Sequence, residues 1–263
     1  MSGLSEQRPI ERFTGLAGLY AQCRPGYPDA ALDFIIRRCG LGSQSVLVDV
    51  GCGTGIAARL FAGRGVPVIG IDPNDQMRGQ AEAVAAPPGA MAPVYRRGRA
   101  EATGLPDAAA DVVLAAQAFH WFEPDAALRE FHRILKPGGW VALMWNERDL
   151  SDAFTAAYSA VIASTPEAAA IEHPRGRAGE VLLGSSRFEE ATRVEFANAQ
   201  PLSEEGLLGR AFSASYAPRE PEAAERFADG LRAVFARFQL QGQVVIRYQT
   251  SVYSARRKDL SQD

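Results

Sequence analysis

The spacing of apolar residues between positions 28 and 149 alternates between two periods, which predicts an α/β protein. Helical spacing is clear at residues 74–84 and 124–135, where apolar side chains recur every three or four positions. Strands that alternate with helices at this pitch predict a parallel sheet covered by helices on both faces. The predicted strands are residues 45–50, 66–71, 93–96, 111–117 and 140–145.

The pattern changes after about residue 146. Residues 154–162 carry one helical apolar stripe, and residues 227–238 carry a stronger one. Residues 192–197 are a candidate strand, and from Val244 to Val252 apolar residues alternate with polar ones, which predicts a long late strand. We therefore divide the chain into N-terminal cap helices (1–40), a ligand-binding core (41–149), a helical cap (150–190) and a return to the sheet (191–263).

Composition excludes several classes of function. The chain is 47% hydrophobic and 22% charged with a net charge of -3, so it has the composition of a globular protein and no broad basic field for nucleic acid. The three cysteines match neither a disulfide framework nor a zinc site, and the three histidines are scattered. No apolar run is long enough to span a bilayer and no signal peptide is recognisable. We expect a cytoplasmic protein, monomeric or homodimeric, that binds neither metal, nucleic acid nor membrane.

A glycine loop follows the first predicted strand. Gly51, Gly53 and Gly55 turn the chain from that strand into a helix, and glycine lets a ligand approach the backbone closely. Asp72 stands 21 residues after Gly51, at the end of the second strand, where an acidic residue can accept hydrogen bonds from ribose hydroxyls. Loop and acid together predict a nucleoside site at the carboxyl edge of the sheet.

Two cofactor classes fit such a loop. A dinucleotide site has the glycine pattern G-x-G-x-x-G, but here the glycines fall as G-x-G-x-G, and Ile56 takes the place of the last one. Asp49 lies two residues before the loop inside an apolar strand, and we expect the backbone amides of the loop to satisfy its carboxylate. The glycine spacing therefore opposes NAD.

Residues 46–55 resemble motif I of class I S-adenosylmethionine-dependent methyltransferases, and residues 68–73 resemble the acidic loop after it. Tyr20 and the run Arg24-Pro25-Gly26-Tyr27-Pro28 resemble the N-terminal cap of a small-molecule subgroup that includes trans-aconitate methyltransferase-like proteins. Further resemblances to the family lie at residues 98–106 (adenine loop), 111–122 (motif II and the next loop), 135–139 (turn before strand five) and 207–216. The resemblance implies a Rossmann-like, doubly wound, seven-stranded sheet, mostly parallel with an antiparallel late strand, plus a helical cap.

The resemblance also implies which residues hold S-adenosylmethionine. The glycine loop would line its methionine and ribose portions, Asp72 would hold the ribose, and two cap residues would close over the methionine carboxylate. The stretch Ala102-Thr103-Gly104-Leu105 has one extra small residue before the Leu-Pro pair of the adenine loop, which departs from a common family pattern. The implied cofactor residues are Tyr20, Arg24, Asp49, Gly51, Cys52, Gly53, Gly55, Asp72, Pro73, Met77, Ala100, Glu101 and Gln117.

The acceptor is expected beside the loop that follows the fourth strand. His120 stands there among aromatic residues and is the candidate general base, although it could instead hold the loop by hydrogen bonds. A carboxylate acceptor would need no base, whereas a phenol, thiol or carbon acid could use one. Candidate acceptor contacts are Phe119, Trp121, Tyr158, Ser215 and Tyr216.

The predicted function is transfer of a methyl group from S-adenosylmethionine to a small molecule with a carboxylate, hydroxyl, thiol or carbon nucleophile. One alternative is a catalytically inactive, cofactor-binding regulatory or partner subunit, which would not release S-adenosylhomocysteine. A second alternative is an NAD-dependent oxidoreductase, which the displaced third glycine opposes.

Overall fold

The computed structural model describes residues 24–86, 88–165, 178–214 and 217–259. Tyr20, Ser215 and Tyr216 lie outside these described residues. The strands are β1 (Leu47–Val50), β2 (Val68–Asp72), β3 (Val94–Arg97), β4 (Ala110–Ala116), β5 (Leu135–Arg148), β6 (Phe188–Leu202) and β7 (Val244–Arg257). The helices are α1 (Asp29–Cys39), α2 (Ile56–Ala62), α3 (Asp75–Ala83), α4 (Pro124–Ile134), α5 (Ala153–Ala163), α6 (Glu180–Leu183), α7 (Glu204–Phe212) and α8 (Pro221–Phe238), with a short 3-10 helix at Phe119–Trp121.

The seven strands of the described chain form one sheet in the order β3-β2-β1-β4-β5-β7-β6. Strands β1 to β5 run parallel, and β7 is antiparallel to both of its neighbours, β5 and β6. The predicted Rossmann-like, seven-stranded, mostly parallel sheet with an antiparallel late strand is therefore confirmed. Strand order reverses between β1 and β4, and in open α/β sheets a crevice forms outside the carboxyl ends at this point.

Helices cover both faces of the sheet. On one face, Leu32 and Ile35 of α1 and Phe61 of α2 pack against the sheet. On the other face, Phe131 and Ile134 of α4 do so. These side chains are fully buried, and each contributes on the order of 1.5–3 kcal/mol of transfer free energy. The sheet is thus held rigid below the loops at its carboxyl edge.

A third apolar cluster lies outside these two layers. The predicted stripe of α5, with Tyr158 and Ile162, packs against Leu231 and Phe235 of α8. Helix α7 contributes Leu207, and the first half of β7 contributes its buried alternate residues. The cluster therefore joins one helix of the predicted cap segment to elements later in the chain, and the division of the chain at residues 150 and 190 stays a prediction.

Three strands are longer than their patterns predict, namely β5, β6 and β7, the last of which continues past Val252 to Arg257. Strand β5 begins at Leu135, which pairs with Ala110, and its register shifts before Trp140 pairs with Val112. The predicted Pro-Gly-Gly turn therefore lies inside the strand as an irregularity, with Gly138 at φ +74°. Strand β6 covers fifteen residues. Its apolar residues mark only part of this length, and the rest is strand because β7 pairs with β6 along nearly its whole length.

Candidate functional site

The glycine loop connects β1 to α2 at the carboxyl edge of the sheet. Gly51, Gly53 and Gly55 have φ angles of +70°, +54° and +75°, a region that side chains with a Cβ rarely adopt. The amides of Gly51 and Cys52 donate to the carbonyl of Ile71 at 2.7 and 3.1 Å, which ties the loop to the end of β2. The backbone conformation therefore requires the glycines that the sequence supplies.

Two of these glycines have different surroundings. A Cβ at Gly51 would lie 2.6 Å from the Cβ of Ala118 and 2.9 Å from the ring of Phe122. A Cβ at Gly53 would meet no protein atom within 4 Å. Gly51 is thus needed for packing inside the protein, whereas Gly53 leaves its backbone open towards the adjoining cavity.

Asp72 ends β2 and faces the loop, as predicted from its spacing. Its Oδ2 accepts a hydrogen bond from the amide of Gly53, and its Oδ1 accepts one from the amide of Asn74, both at 2.9 Å. Burial raises the pKa of Asp72, while these two amides and the charge of Arg78 oppose the rise. The carboxylate therefore orders both loops and keeps free lone pairs for further donors.

Asp49 is the least satisfied polar group of the site. It is 1% exposed, and neither carboxylate oxygen has a hydrogen-bond partner in the part of the chain that the structure describes. Burial, helped by the charge of Asp72 and opposed by the nearby amide of Ala58, raises its pKa to about 7. The prediction that loop amides satisfy Asp49 is wrong, because those of Gly51, Cys52 and Gly53 donate to other groups.

A cavity of about 530 Å³ opens at the carboxyl ends of β1, β2 and β4. Gly55 lies further along the loop and Arg24 lines a different cavity, so neither of these two cofactor candidates lines it. The prediction for Tyr20 falls outside the described residues. Tyr27, Thr54 and Asn74 line it without having been predicted. Ten predicted cofactor residues line this cavity: Asp49, Gly51, Cys52, Gly53, Asp72, Pro73, Met77, Ala100, Glu101 and Gln117.

One wall is a tight turn after β3. The backbones of Arg99 and Ala102 pair with each other, which places Ala100 and Glu101 at the tip of the turn. Glu101 accepts a hydrogen bond from the amide of Glu123 at 3.0 Å. Thr103, which follows Ala102, is held by Glu130 through both its amide and its hydroxyl. A buried carboxylate thus anchors the segment after the turn, and the turn reaches the cavity.

Gln117 occupies a strained position at the end of β4. Its φ is +55°, which costs a residue with a Cβ about 1–2 kcal/mol. Its amide donates to the carbonyl of Met144 at 2.7 Å, and its side-chain Nε2 donates to the carbonyl of Asn146 at 3.1 Å. Gln117 lines both this cavity and a second one. Strain of this kind is concentrated at functional sites.

The aromatic side chains of the loop after β4 lie in different environments. Phe119 is buried in the core against Phe122 and Phe131, so it lines neither of the two cavities. Trp121 lines the first cavity. Tyr158 is fully buried beneath the guanidinium of Arg148 and also lines neither cavity. Trp121 is therefore the predicted acceptor contact that the structure places at the first cavity.

His120 faces the end of β5. Its Nδ1 accepts a hydrogen bond from the indole Nε1 of Trp145 at 3.2 Å. Because an indole N–H can only donate, the neutral imidazole carries its proton on Nε2, and the lone pair that a base would use points at Trp145. His120 lines neither of the two cavities. This geometry favours the role of holding the loop, and the catalytic role stays a prediction.

The second cavity, of about 460 Å³, lies beyond Gln117. The end of β5 lines it with Trp145, Asn146 and Arg148, and two distant residues, Arg24 and Arg210, complete it. Sequence reasoning assigned no acceptor contact to Arg148 or Arg210, because arginines on a strand end and on a helix have no distinguishing local pattern. Their proximity depends on the tertiary fold.

A buried polar network closes the rim between the cavities. Asn146 donates from Nδ2 to the carbonyl of Gly26 at 3.0 Å and accepts at Oδ1 from Thr250 at 2.6 Å and from Asn198 at 3.0 Å. Asn198 also donates to the carbonyl of Gly26 at 3.1 Å. Three strands thereby hold the segment before α1, which places Tyr27 on the first cavity.

Metal, thiolate and membrane sites find no support in the described chain. Among the described residues, no group of three or more histidine, cysteine or acidic side chains is arranged to hold a metal ion. Burial raises the pKa of the Cys52 thiol well above its ordinary value, so it is a neutral wall of the first cavity. None of the helices in the described ranges has the length and apolar character needed to cross a bilayer.

Known proteins resemble both the sequence and the fold. Residues 48–143 match a family model described as a methyltransferase domain. An uncharacterized methyltransferase of Mycobacterium bovis is 36% identical over 137 residues, which cover 52% of this chain and 53% of that protein. The chain thus spans about half the length of this curated relative. The matched segment contains the glycine loop, Asp72 and the loops that line the first cavity.

Two solved structures cover most of the chain. A protein of Anaeromyxobacter dehalogenans, provisionally named a type II methyltransferase, is 25% identical with a TM-score of 0.62, over 89% of this chain and 97% of that one. A protein of Anabaena variabilis, provisionally named a methyltransferase of an antibiotic biosynthesis pathway, is 20% identical with a TM-score of 0.65, over 89% and 98%. The chain therefore has the fold of these proteins, and its residues 48–143 match the methyltransferase domain.

Proposed function

We propose that this protein is an S-adenosylmethionine-dependent methyltransferase that acts on a small molecule. The observation that carries the proposal is the first cavity, where an open glycine backbone and two buried carboxylates meet at the reversal of strand order. The match of this segment to a methyltransferase domain supports the same reaction. The scattered cysteines support a reducing, cytoplasmic location, which is part of the proposal.

The residues present fit this cofactor. S-adenosylmethionine carries an ammonium and a sulfonium, and Asp49 offers a carboxylate without a partner among the described residues. A buried carboxylate is costly unless a cation or donor compensates it. Gly53 leaves open space where a ligand can lie against the backbone. When bound, the cofactor supplies a methyl group that a nucleophile can accept.

Each wall of the cavity then has a role. We propose that Gly51, Cys52 and Gly53 line the methionine and ribose portions and that Asp72 accepts hydrogen bonds from the ribose hydroxyls. Pro73 and Met77 would pack on the faces of the adenine ring. Ala100 and Glu101 would contact its polar edge. Arg24 lies at the second cavity, so its geometry supports a role towards the acceptor rather than towards the methionine carboxylate.

Calorimetry with the purified protein tests the proposal directly. S-adenosylmethionine should bind and NAD should not. Replacement Asp72→Asn should weaken binding by about 1.5–3 kcal/mol, the range for hydrogen bonds to a charged group. The asparagine keeps one acceptor for the loop amides, which an alanine would leave unsatisfied. Asp75→Asn is the matched control, because Asp75 begins α3 only three residues further along the chain but is exposed and paired with Arg78.

Release of S-adenosylhomocysteine from a panel of small acceptors tests the transfer itself. An active enzyme releases it with at least one acceptor, whereas a cofactor-binding regulatory subunit binds without release. Failure to bind S-adenosylmethionine, or unchanged affinity in folded Asp72→Asn, would overturn the assignment of the first cavity.

A further inference from the structure

The second cavity has walls of a different character from the first. Trp145, Tyr248 and the small residues Ala156 and Ala160 form apolar surface. Helix α5 presents small side chains on this side at helical spacing, while its large residues, such as Tyr158, are buried on the other side. The cavity therefore has room for the organic body of a small molecule, at about 460 Å³.

The charged residues of this cavity are mainly cationic. Among the described residues, three arginines, Arg24, Arg148 and Arg210, line it together with one acid, Glu147. The carboxylate of Glu147 accepts a hydrogen bond from the hydroxyl of Ser251 at 2.6 Å. Arg210 is only 6% exposed, so its guanidinium is held at the wall rather than in solvent. Planar guanidinium groups recognise carboxylates and phosphates by paired hydrogen bonds.

The arginines come from three separate parts of the fold. Arg148 ends β5 and lies over the ring of Tyr158, with 5.6 Å between the guanidinium carbon and the ring centre. Arg210 lies in the last turn of α7. Arg24 donates to the carbonyl of Ser213, which follows α7, at 3.4 Å. Three guanidinium groups from distant parts of the chain therefore converge on one cavity and give its wall the planar donors that an anionic group requires.

The two cavities adjoin at one residue. Gln117 lines both of them, so a molecule in the second cavity lies next to the contents of the first. His120 lines neither cavity and its Nδ1 accepts from Trp145, so the geometry favours an acceptor that does not depend on this residue as a base. An acceptor that is already ionised at neutral pH needs none.

We propose that the second cavity binds the methyl acceptor through an anionic group, a carboxylate or a phosphate, held by Arg148 and Arg210. This inference rests on the proposed methyltransferase function and names the chemical class of its substrate. The apolar walls then hold the organic body of the same molecule.

Binding of simple anions to the whole protein tests this without turnover. Hexanoate and hexyl phosphate serve as the two anionic probes, and hexanamide is the neutral counterpart of the first. Trp145 lies in the cavity wall, so quenching of tryptophan fluorescence can follow binding, with calorimetry as a second measurement. We expect one or both anions to bind and hexanamide to bind far more weakly. The stronger anion identifies the group as carboxylate or phosphate.

Variants locate the bound anion. Arg148→Gln and Arg210→Gln should each weaken binding by about tenfold or more, as expected for a lost hydrogen bond to a charged group. Arg226→Gln is the control, because that arginine is exposed on α8 and paired with Glu222. Arg148 is only partly buried, so its variant stays informative if Arg210→Gln fails to fold.

The outcomes separate this inference from the proposed function. S-adenosylhomocysteine should bind both arginine variants as it binds the original protein, because neither arginine lines the first cavity. The inference is overturned if hexanamide binds as tightly as hexanoate, if neither anion binds, or if anion binding survives Arg148→Gln. Loss of S-adenosylhomocysteine binding by the unaltered protein would instead count against the proposed function.

Discussion

The two cavities differ in how the chain builds them. Apart from Tyr27, the first is lined by short continuous segments at and after the ends of β1, β2, β3 and β4. The second collects Arg24, Arg148, Arg210 and Tyr248 from four distant regions. A site made of contiguous loops leaves a signature in the sequence, whereas a site made by convergence becomes visible only in the folded molecule.

Their charges differ as well. Asp49, Asp72 and Glu101 line the first cavity with carboxylates, together with Arg99. Arginines dominate the second. Under the proposed function, a cationic cofactor and an anionic acceptor would each meet the opposite charge. Such complementarity favours the intended ligand in each cavity and disfavours the other one.

The largest effect should come from closing the open face of the first cavity. Gly53→Val places a branched side chain where a Cβ meets no protein atom, so the cofactor should no longer bind. Gly138→Val is the matched control, since Gly138 has φ +74° and is equally open but lies away from both cavities. Both variants should lose similar stability, about 1–2 kcal/mol, from backbone strain. Calorimetry with S-adenosylmethionine should then show loss for Gly53→Val alone.

Normal binding by a folded Gly53→Val protein would contradict the contrast between the cavities. The glycine loop would then serve only as a turn, and the first cavity would need another occupant.

A smaller effect should appear in the pH dependence of stability. The pKa of Asp49 rises from its ordinary value of 3.8 to about 7 on folding, chiefly through burial. The folded protein therefore holds this proton more tightly than the unfolded chain, so stability falls as pH rises between these values. A tenfold difference in proton affinity between the two states corresponds to about 1.4 kcal/mol of stability. Asp49→Asn should remove this loss. The midpoint temperature of unfolding of the variant, measured relative to that of the original protein, should therefore rise as the pH is raised from acidic to neutral.

Asp229→Asn, at an exposed position on α8, provides the comparison for Asp49→Asn. Parallel pH profiles for the original protein and Asp49→Asn would show that the carboxylate of Asp49 is compensated in solution, and would remove one reason to place a cation in the first cavity.

The smallest effect should come from His120, which lines neither cavity. His120→Gln keeps an acceptor for the indole of Trp145. We expect a rise in the Michaelis constant for the acceptor of less than about tenfold, with cofactor affinity and the shape of the pH–rate profile unchanged. A fall in turnover of about 10²–10⁴-fold with a flattened profile would instead identify His120 as a general base. Steady-state kinetics at several pH values distinguish the two results.

The sequence predicted the sheet and the first cavity because both depend on local patterns. Glycine spacing and the position of Asp72 follow from strand ends, which apolar periodicity marks well. The same patterns missed α7, although Ser203 caps it by accepting from the amide of Gly206. Its buried positions, such as Leu207 and Ala211, are few, so tertiary packing rather than periodicity explains this helix.

Side-chain directions were harder to predict than segments. Phe119 and Trp121 are neighbours in one short helix, yet the first is buried in the core and the second faces the cavity. Asp49 was expected to bond to the loop, but the loop amides donate to Ile71 and Asp72. Such choices depend on competing partners brought together by the fold, and no local pattern records them.

The position of β7 has a consequence for how this molecule is made. β7 separates β5 from β6, so β6 has no strand to pair with until residues 244–257 have been synthesised. Asn198 on β6 and Thr250 on β7 both contribute to the network that holds Gly26. The parallel strands and the glycine loop therefore emerge from the ribosome well before the polar network that holds Gly26 can form. The nascent chain carries an incomplete site until β7 pairs with the exposed edge of β5 and lets β6 join the sheet.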